Sequence, residues 1–372
     1  MRAMRAARIL TMDPGRPEIA DGGILIREGR ILAIGPWKTV AAEGEPHDLG
    51  KVTLAPALIN AHAHLELSHL AGRIPAGLGF AAWADRLFEA MRVGRVTEDA
   101  IFQAVCRARD AGVCCVADVV GREFELVRRA LDRSQVSGHV FREFSGRARG
   151  GDFCPEPLPG DWSPAVHALY STDRALAQAI KRWCSSRALP FSLHLAEVPG
   201  ENELFERGSG EFADFLRARR ILPKGFAPPG VSVTAFARDL GLLDSRTLAV
   251  HCVGMTGDDV DIMAASGASA CLCPRSNRHI GVGEAPAARL RMAGVPLCLG
   301  TDSLVSTPDL DLWVELRAAR SLLSPDTPLA DLLAMVTRNP ARVLGLDADF
   351  GSLAEGRCAA WSVLPEDFAR LG

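Results

Sequence analysis

The sequence predicts an α/β protein, a (β/α)8 barrel that carries a small β-sandwich built from both chain ends. After residue 54, apolar strand-like runs alternate with amphipathic helical stretches over about 250 residues, the usual size of such a barrel. The eight predicted barrel strands span residues 54–60, 113–118, 138–143, 165–169, 190–194, 247–251, 268–273 and 295–300. The predicted helices between them include residues 81–93, 97–111, 173–186, 210–220, 258–266 and 285–293.

Both ends of the chain have the pattern of β-structure. Residues 23–27 and 30–34 are short β-branched runs joined by Glu28-Gly29, which is a hairpin signal. Near the other end, a turn at 351–356 precedes a last predicted strand at 359–364 that can return to the N-terminal sheet. We therefore predict that residues 1–54 and 345–372 form the sandwich and that residues 55–344 form the barrel.

Composition and charge exclude several classes of protein. The 372 residues include 42 Lys and Arg against 45 Asp and Glu, a net charge of −3 that argues against a nucleic-acid binder with a global positive field. No apolar run reaches the length of a membrane span, and the N-terminus has no apolar signal segment, so we expect a cytoplasmic protein without a membrane partner. The oligomeric state stays open, and a homodimer is compatible with the sequence.

The ten cysteines lie mostly within apolar stretches. Cys271 and Cys273 flank one residue of a predicted strand, so both thiols point to the same face. Packing as small buried side chains is the interpretation we favour for this pair, and metal binding is the alternative.

Imidazole and carboxylate groups stand where the predicted barrel strands end. His62 and His64 follow the first strand two residues apart, so both rings can grip one ion, although two histidines in a polar loop would give the same pattern. The fifth, sixth and eighth strands are followed or ended by His194, His251 and Asp302, and Glu197 lies three residues beyond His194. Active sites of barrels form at this face, and neutral imidazoles with one carboxylate suit a catalytic zinc or a similar divalent ion.

These motifs resemble those of the amidohydrolase superfamily, in its branch of cytosine deaminases and chlorohydrolases. The resemblance spans essentially the whole chain and implies a (β/α)8 barrel with an appended β-sandwich. The matching stretches are NAHAHLELS at 60–68, HLAE at 194–197, VHC at 250–252, CPRSN at 273–277, GTDS at 300–303, NPAR at 339–342 and the segment 351–356.

The resemblance also implies a role for each residue of the site. It implies metal ligation by His62, His64, His194 and Asp302. It further implies that His251 contacts the hydrolytic water and shares in catalysis with Asp302, that Glu197 is the proton shuttle, and that His167 touches the substrate.

The number of metal ions can be argued from the lysines. Many two-metal members of the superfamily bridge their ions with a carbamylated lysine at the end of the fourth strand. Beyond residue 51 this chain has only Lys181, in a helical run, and Lys224, in a proline-rich loop. We therefore expect one divalent transition ion, with Zn²⁺ first and Fe²⁺ as the alternative; two ions bridged by a carboxylate or a thiolate are the other possibility.

Other polar residues keep two interpretations each. Glu66 is either a substrate contact or an ion-pair partner of Arg73 or Arg86. We predict that His279 is a loop residue rather than a substrate contact, and that His69 is exposed rather than at the mouth of the site. Arg142, Arg147 and Arg149 form a solvated loop or pair with an acidic substrate.

Three functions are compatible with these motifs. The first is deamination of an aminated heterocycle, a small-molecule substrate, at C6 of an adenine-type ring; the motif set looks most like that of the aminodeoxyfutalosine deaminases of menaquinone synthesis. The second is hydrolysis of another leaving group from a triazine-like or guanine-like ring. The third is a metal-binding barrel without catalysis, which retention of the complete set of motif residues disfavours.

Overall fold

A computed structural model describes residues 1–148 and 153–371 of the chain. Its strands are β1 (Arg2–Leu10), β2 (Glu18–Arg27), β3 (Arg30–Pro36), β4 (Glu45–Asp48), β5 (Thr53–Pro56), β6 (Leu58–Ala63), β7 (Val113–Val120), β8 (Ser137–Phe144), β9 (Trp162–Ala168), β10 (Phe191–Leu195), β11 (Thr247–His251), β12 (Ser269–Leu272), β13 (Leu297–Leu299) and β14 (Trp361–Val363).

Helices connect and cover these strands, and two short 3₁₀ helices occupy Ala41–Glu43 and Leu65–Leu70. The α-helices are α1 (Trp37–Val40), α2 (Phe80–Val93), α3 (Glu98–Asp110), α4 (Phe124–Ser134), α5 (Arg174–Ser186), α6 (Gly200–Arg207), α7 (Glu211–Ala218), α8 (Val233–Asp239), α9 (Gly257–Ser266), α10 (Pro274–Ile280), α11 (Ala287–Met292), α12 (Leu312–Arg320), α13 (Leu329–Ala334), α14 (Arg338–Val343) and α15 (Glu366–Ala369). Within the described ranges, no helix combines the length and apolar character needed to cross a membrane.

Strands β6 to β13 form one parallel sheet in chain order and confirm the predicted barrel. The first and last strands meet through a parallel bridge between Ala63 and Asp302. Because the carboxyl ends of all eight strands lie at one end of the barrel, the predicted site residues are brought to the same rim.

The closure between β6 and β13 depends on the missing side chain of Gly300. A Cβ atom there would lie only 2.5 Å from His62 Cβ and 2.8 Å from the His62 carbonyl oxygen. Next to it, Asn60 donates to Thr301 Oγ1 (2.8 Å) and accepts from the Thr301 amide (3.1 Å). The Asp302 amide then donates to the His62 carbonyl at 3.0 Å. The seam therefore fixes two predicted metal ligands, His62 and Asp302, against each other.

The prediction of one strand over residues 54–60 was wrong. The structure divides this run at Ala57 into β5, which pairs with β1 and β14, and β6, which begins the barrel. The partner changes because the Ala57 amide donates to the Ala360 carbonyl, whereas the Leu58 amide donates to the Gly112 carbonyl. Two short strands in separate sheets thus share one apolar stretch.

A second sheet of six strands combines both ends of the chain. Its order is β14-β5-β1-β2-β3, and β4 pairs with the first half of β1. The predicted hairpin is confirmed, because Arg27 pairs with Arg30 and the turn residues Glu28 and Gly29 both have positive φ, at 53° and 75°. The domain boundaries at 54/55 and 344/345 stay a prediction.

The barrel interior below the rim is filled by small and medium apolar side chains. Cys271 and Cys273 are completely buried there, among an inner cluster that includes Ile59, Phe141 and Cys298. All ten cysteines are free thiols, and the pair packs as the favoured interpretation predicted. The inner cluster is sealed by Ala341 and Val343 of α14, so the barrel end opposite the rim is closed by apolar contacts.

Candidate metal and proton-transfer site

Four predicted metal ligands converge at the rim. His62 lies in β6, and His64 follows β6 directly. His194 lies in β10, and Asp302 lies three residues beyond the end of β13. The Nε2 atoms of His64 and His194 are 3.4 Å apart, and Asp302 Oδ1 lies 3.8 Å from Nε2 of both His62 and His64. The three histidines thus form a cluster able to hold one ion, with the Asp302 carboxylate beside it.

The backbone at this rim is strained in several places. Four residues that are not glycine have left-handed φ values: Ala196 (52°), His251 (74°), Cys252 (57°) and Asp302 (60°). Such conformations are unfavourable for residues with a Cβ atom and concentrate at functional sites. They occur here where β10, β11 and β13 turn into their loops, at or beside three of the predicted site residues, His194, His251 and Asp302.

The donor set fits a divalent metal ion. His62 is fully buried, yet neither of its ring nitrogens has a hydrogen-bond partner among the described residues. Burial, reinforced by His64, His194 and His251, lowers the pKa of His62 well below its ordinary value, so the ring is neutral. Burying an imidazole without hydrogen-bond partners is unfavourable unless the ring binds another group. A divalent metal ion is such a group, because neutral imidazole nitrogens are good metal ligands.

Two further ligands are oriented by their own hydrogen bonds. His194 donates its Nδ1–H to the His167 carbonyl oxygen at 2.9 Å, which leaves Nε2 free on the side of His64. Burial also lowers the pKa of His194 to about 3. Ser276 donates to Asp302 Oδ2 at 2.5 Å and so leaves Oδ1 directed at His62 and His64. Burial opposes the charge on Asp302, but His64, His251 and Ser276 together hold its pKa below the ordinary value.

Glu197 and His251 form a pair just beside the ligand cluster. Glu197 Oε1 lies 3.7 Å from His251 Nε2. The other ring nitrogen of His251, Nδ1, donates to Asn277 Oδ1 at 2.9 Å, so Nε2 is the nitrogen that faces Glu197. Burial raises the pKa of Glu197 above its ordinary value, although His251 opposes the rise. The carboxyl group can therefore carry a proton inside the pocket.

The backbone that carries Glu197 is held by a second buried carboxyl group. Glu201 is 1% exposed, and its Oε1 accepts from the Val198 amide at 3.1 Å. Burial raises the pKa of Glu201 to about 8. Glu201, Ser276 and Asn277 were not predicted as site residues from the sequence, although the last two lie inside the CPRSN motif and could have been found there.

His167 lies at the end of β9, beside His194. Its Nδ1 is 2.6 Å from Ser171 Oγ, and its ring centroid is 5.2 Å from that of His194. Burial lowers the pKa of His167 to about 4, so this ring too is neutral. Its contact with substrate stays a prediction.

Glu66 has partners that the sequence analysis did not anticipate. Its carboxylate accepts from the backbone amides of Gly121, Arg122 and Glu123, between 2.9 and 3.1 Å, in the loop that leads into α4. Within residues 1–148 and 153–371, no ion pair joins it to Arg73 or Arg86, so that alternative was wrong. Glu66 itself lies in the 3₁₀ helix Leu65–Leu70. Its negative carboxylate is favourable beside the free backbone amides at the N-terminus of α4. A contact between Glu66 and substrate stays a prediction.

The remaining polar candidates have local partners. His279 lies in α10 rather than in a loop, and its Nε2 is 3.1 Å from the Ile74 carbonyl oxygen, because the CPRSN segment begins a helix at Pro274. His69 is half-buried and contacts the Glu66 carbonyl through Nδ1, so its predicted exposure was wrong.

The arginines after the third barrel strand have separate surroundings. The Arg142 guanidinium lies over the Phe144 ring, and Arg147 donates to the Lys224 carbonyl oxygen at 2.9 Å. Arg149 lies outside the described residues. Pairing of this segment with an acidic substrate stays a prediction.

Neither candidate lysine stands at the rim as a bridge between two ions. Lys181 is buried, with Nζ 2.8 Å from both Thr247 Oγ1 and Asp244 Oδ1. Because Thr247 begins β11 and His251 ends it, Lys181 lies at the opposite end of the barrel. Lys224 is exposed on the loop that Arg147 contacts. This arrangement favours one ion.

Two curated proteins align over most of the chain. The 5-methylthioadenosine/S-adenosylhomocysteine deaminase of Nitratidesulfovibrio vulgaris is 27% identical over 370 residues, which cover 92% of this chain and 78% of that protein. The aminodeoxyfutalosine deaminase of Deinococcus radiodurans is 28% identical over 349 residues, which cover 85% of this chain and 81% of that protein.

Solved structures share the fold. Helicobacter pylori aminofutalosine deaminase in complex with methylthio-coformycin superposes with a TM-score of 0.83 at 23% identity, over 98% of this chain and 92% of that one. Atrazine chlorohydrolase of Arthrobacter aurescens TC1, complexed with zinc, gives a TM-score of 0.79 at 20% identity, over 99% of this chain and 88% of that one. The sequence profile of the amidohydrolase family matches residues 53–371, and the protein is therefore an enzyme that belongs to the amidohydrolase family.

Proposed function

We propose that the protein is a hydrolytic deaminase that removes the 6-amino group of an adenosine-type nucleoside with the help of one divalent ion, Zn²⁺. The observation that carries this proposal is the buried carboxyl group of Glu197, which lies beside the cluster of ligands and faces His251 at 3.7 Å. An acid that is near the metal but not bound to it is what hydrolytic deamination of a nucleobase requires.

His62, His64, His194 and Asp302 would hold the ion. When bound there, the ion would supply a nucleophilic hydroxide at neutral pH, because it lowers the pKa of water to about 7.

The side chains of the pocket account for the proton transfers. Glu197, whose pKa is raised by burial, delivers its proton to N1 of the adenine ring, and C6 becomes electrophilic. His251 keeps Nε2 as an acceptor toward the reacting water because Asn277 fixes its other nitrogen as the donor. Asp302, whose pKa is held below the ordinary value, is charged before the reaction and can accept the proton that the water gives up. One water is consumed: the proton on Asp302 passes to the 6-amino group, the C6–N bond breaks and ammonia leaves, and the hydroxyl proton at C6 returns to Glu197 as the 6-oxo product forms.

The preferred nucleoside in this proposal is 6-aminodeoxyfutalosine, which would place the enzyme in menaquinone synthesis. Support comes from the alignment with the Deinococcus radiodurans protein of that name. The alignment with a 5-methylthioadenosine/S-adenosylhomocysteine deaminase makes those nucleosides the first competitors. All of these substrates present the same adenine ring to Glu197.

The test is a comparison of kcat/KM for aminodeoxyfutalosine, 5-methylthioadenosine, S-adenosylhomocysteine, adenosine, guanine and a chlorotriazine, measured by ammonia or chloride release. We expect aminodeoxyfutalosine to exceed adenosine by ~10-fold or more, the scale of discrimination between related substrates. Equal rates on all adenosines would leave the deaminase and remove the specific substrate. A best rate on guanine or the triazine would overturn the proposed function.

A further inference from the structure

We propose that Glu143 forms, beside His167, a polar subsite that accepts a hydrogen bond from a sugar hydroxyl of the nucleoside. The inference rests on the proposed function, and it adds a specificity-determining residue that the reaction described above does not use. Glu143 is the next-to-last residue of β8, at the same rim as the ligand cluster.

The first observation is a carboxylate without a donor. Glu143 Oε1 is buried, and no residue in the described part of the chain donates a hydrogen bond to it. Burial raises the pKa of Glu143 above its ordinary value, against the opposing effect of His194 and His64. A buried acceptor without a donor is unfavourable, so such a group beside the site indicates a donor on the ligand.

The second observation is the position of this carboxylate. Glu143 Oε1 lies 3.8 Å from His194 Nδ1, and Glu143, His167 and His194 have ligand atoms within 4.8 Å of one another. The His194 Nδ1–H is already donated to the His167 carbonyl, and His167 Nδ1 is engaged by Ser171. The neighbouring rings therefore leave the carboxylate unsatisfied. The side chain as a whole is 20% exposed although Oε1 itself is buried, so a ligand can approach the carboxyl group from its exposed side.

The chemistry of the substrate selects the partner. An adenine ring substituted at N9 carries one hydrogen-bond donor, the 6-amino group. In the proposed reaction that group is the leaving group and must face Glu197. The remaining donors of an adenosine-type nucleoside are its sugar hydroxyls, and Glu143 can accept from one of them. The subsite thereby distinguishes nucleosides from free bases and triazines, which lack such hydroxyls.

The experiment combines enzyme variants that lack the acceptor with substrates that lack the donor, in the manner of a double-mutant cycle. The kcat/KM values for adenosine and for 2′-, 3′- and 5′-deoxyadenosine are measured with the parent, Glu143→Gln and Glu143→Met enzymes. We expect the parent to prefer adenosine over one deoxynucleoside by about 10-fold, the value of a well-formed hydrogen bond. The preference should shrink in Glu143→Gln, which keeps a neutral acceptor, and approach one in Glu143→Met.

Glu315→Gln is the matched control. Glu315 is also a buried carboxylate with an unsatisfied oxygen, but it lies in α12 against Arg275. Its neutralisation should leave the hydroxyl preference at the parent value. Metal content is measured for every variant, because a loss of metal in Glu143→Met would make Glu143 a positioning residue for His194 and overturn the subsite.

The failures of the two proposals are distinguishable. An unchanged hydroxyl preference in Glu143→Met overturns the subsite while deamination stands. If the metal-loaded parent deaminates neither adenosine nor any other adenosine-type nucleoside, aminodeoxyfutalosine included, the proposed function falls and the subsite falls with it.

Discussion

Two buried histidines at different depths of the same barrel have opposite surroundings. His139, on β8 below the rim, is 4% exposed and pairs with Ser163 Oγ at 2.8 Å. His62, at the rim, is more deeply buried, and neither of its ring nitrogens has a hydrogen-bond partner in the part of the chain that the structure describes. Burial lowers the pKa of both rings, to about 4 for His139. The first histidine is a hydrogen-bonded part of the core, whereas the second has an unpaired acceptor nitrogen and an unpaired N–H that a bound group can use.

The same contrast separates the two ends of the barrel as a whole. The inner cluster around Phe141 is apolar and closed by α14, whereas the rim has unsatisfied polar atoms and left-handed backbone. Phe141 and Glu143 show this over two residues of one strand. The same strands thus contribute apolar packing in the barrel interior and polar site residues at the rim. The packed interior supports the strained backbone of the rim.

Removal of a rim ligand should have the largest effect. In His64→Ala, the metal content of the purified enzyme should fall from about one ion per chain to well below one, and activity should be lost with it, because deleting one of the four proposed ligands weakens the binding of the ion. Elemental analysis checks this and also tells Zn²⁺ from Fe²⁺. Retention of the ion at the parent level would remove His64 from the proposed site.

Glu197→Gln separates metal binding from proton transfer. The amide keeps the shape of the side chain but cannot deliver a proton, so kcat should fall by about 10²–10⁴ while metal content stays at the parent value. Steady-state kinetics and elemental analysis on the same sample check both parts. A rate within threefold of the parent would contradict the role of Glu197.

At the apolar end, Phe141→Ala should destabilise the fold and leave the rim chemistry intact. Phe141 is fully buried, and its truncation should lower the free energy of unfolding by about 3–5 kcal/mol. Chemical denaturation measures the loss, and the metal content of the folded protein should not change. Loss of metal in folded Phe141→Ala would show that the two ends are not independent.

The smallest effect concerns a buried carboxyl group outside the pocket. Burial raises the pKa of Glu315 to about 8 in the folded protein, so between pH 4.5 and 8 the folded state binds more protons than the unfolded state. Stability contributed by this group is therefore full below pH 4.5 and decreases as the pH rises, by at most about 1.4 kcal/mol per unit. Glu315→Gln should gain stability relative to the parent from pH 5 to 8 in urea titrations. A difference independent of pH would contradict the raised pKa.

Much of the fold could be predicted because barrel strands are apolar runs with regular helical connections. Residues 247–251 were predicted with the bounds of β11, and six of the other runs each contain a barrel strand or most of one, whereas the run 54–60 contains only half of β6. The break at Ala57 could not be predicted, because β5 and β6 are equally apolar and differ only in which strand their amides contact.

Site residues could be predicted where an imidazole or carboxylate side chain stands at the end of a predicted strand. This holds for His62, His194 and Asp302, which the structure brings together. Glu143 also ends a predicted strand, but it was not predicted as a site residue. A single carboxylate at a strand end has no motif or spacing that distinguishes it from a solvated residue. Glu66 shows the opposite limit. Its partners are backbone amides, which leave no mark in the sequence of the residue that binds them.

The seam between β6 and β13 has a consequence for how the protein matures during synthesis. His62 and Asp302 are separated by 240 residues in the chain, yet the Asp302 amide binds the His62 carbonyl. A ribosome that adds about 5–20 residues per second needs tens of seconds at the slower rate to extend the chain between them. Until then His62 and His64 lie on a sheet that is not yet closed. They can bind a metal ion only weakly at that stage, and the open edge of the sheet is prone to aggregation. We expect the ion to be bound tightly only after the eighth strand has been released and the barrel has closed.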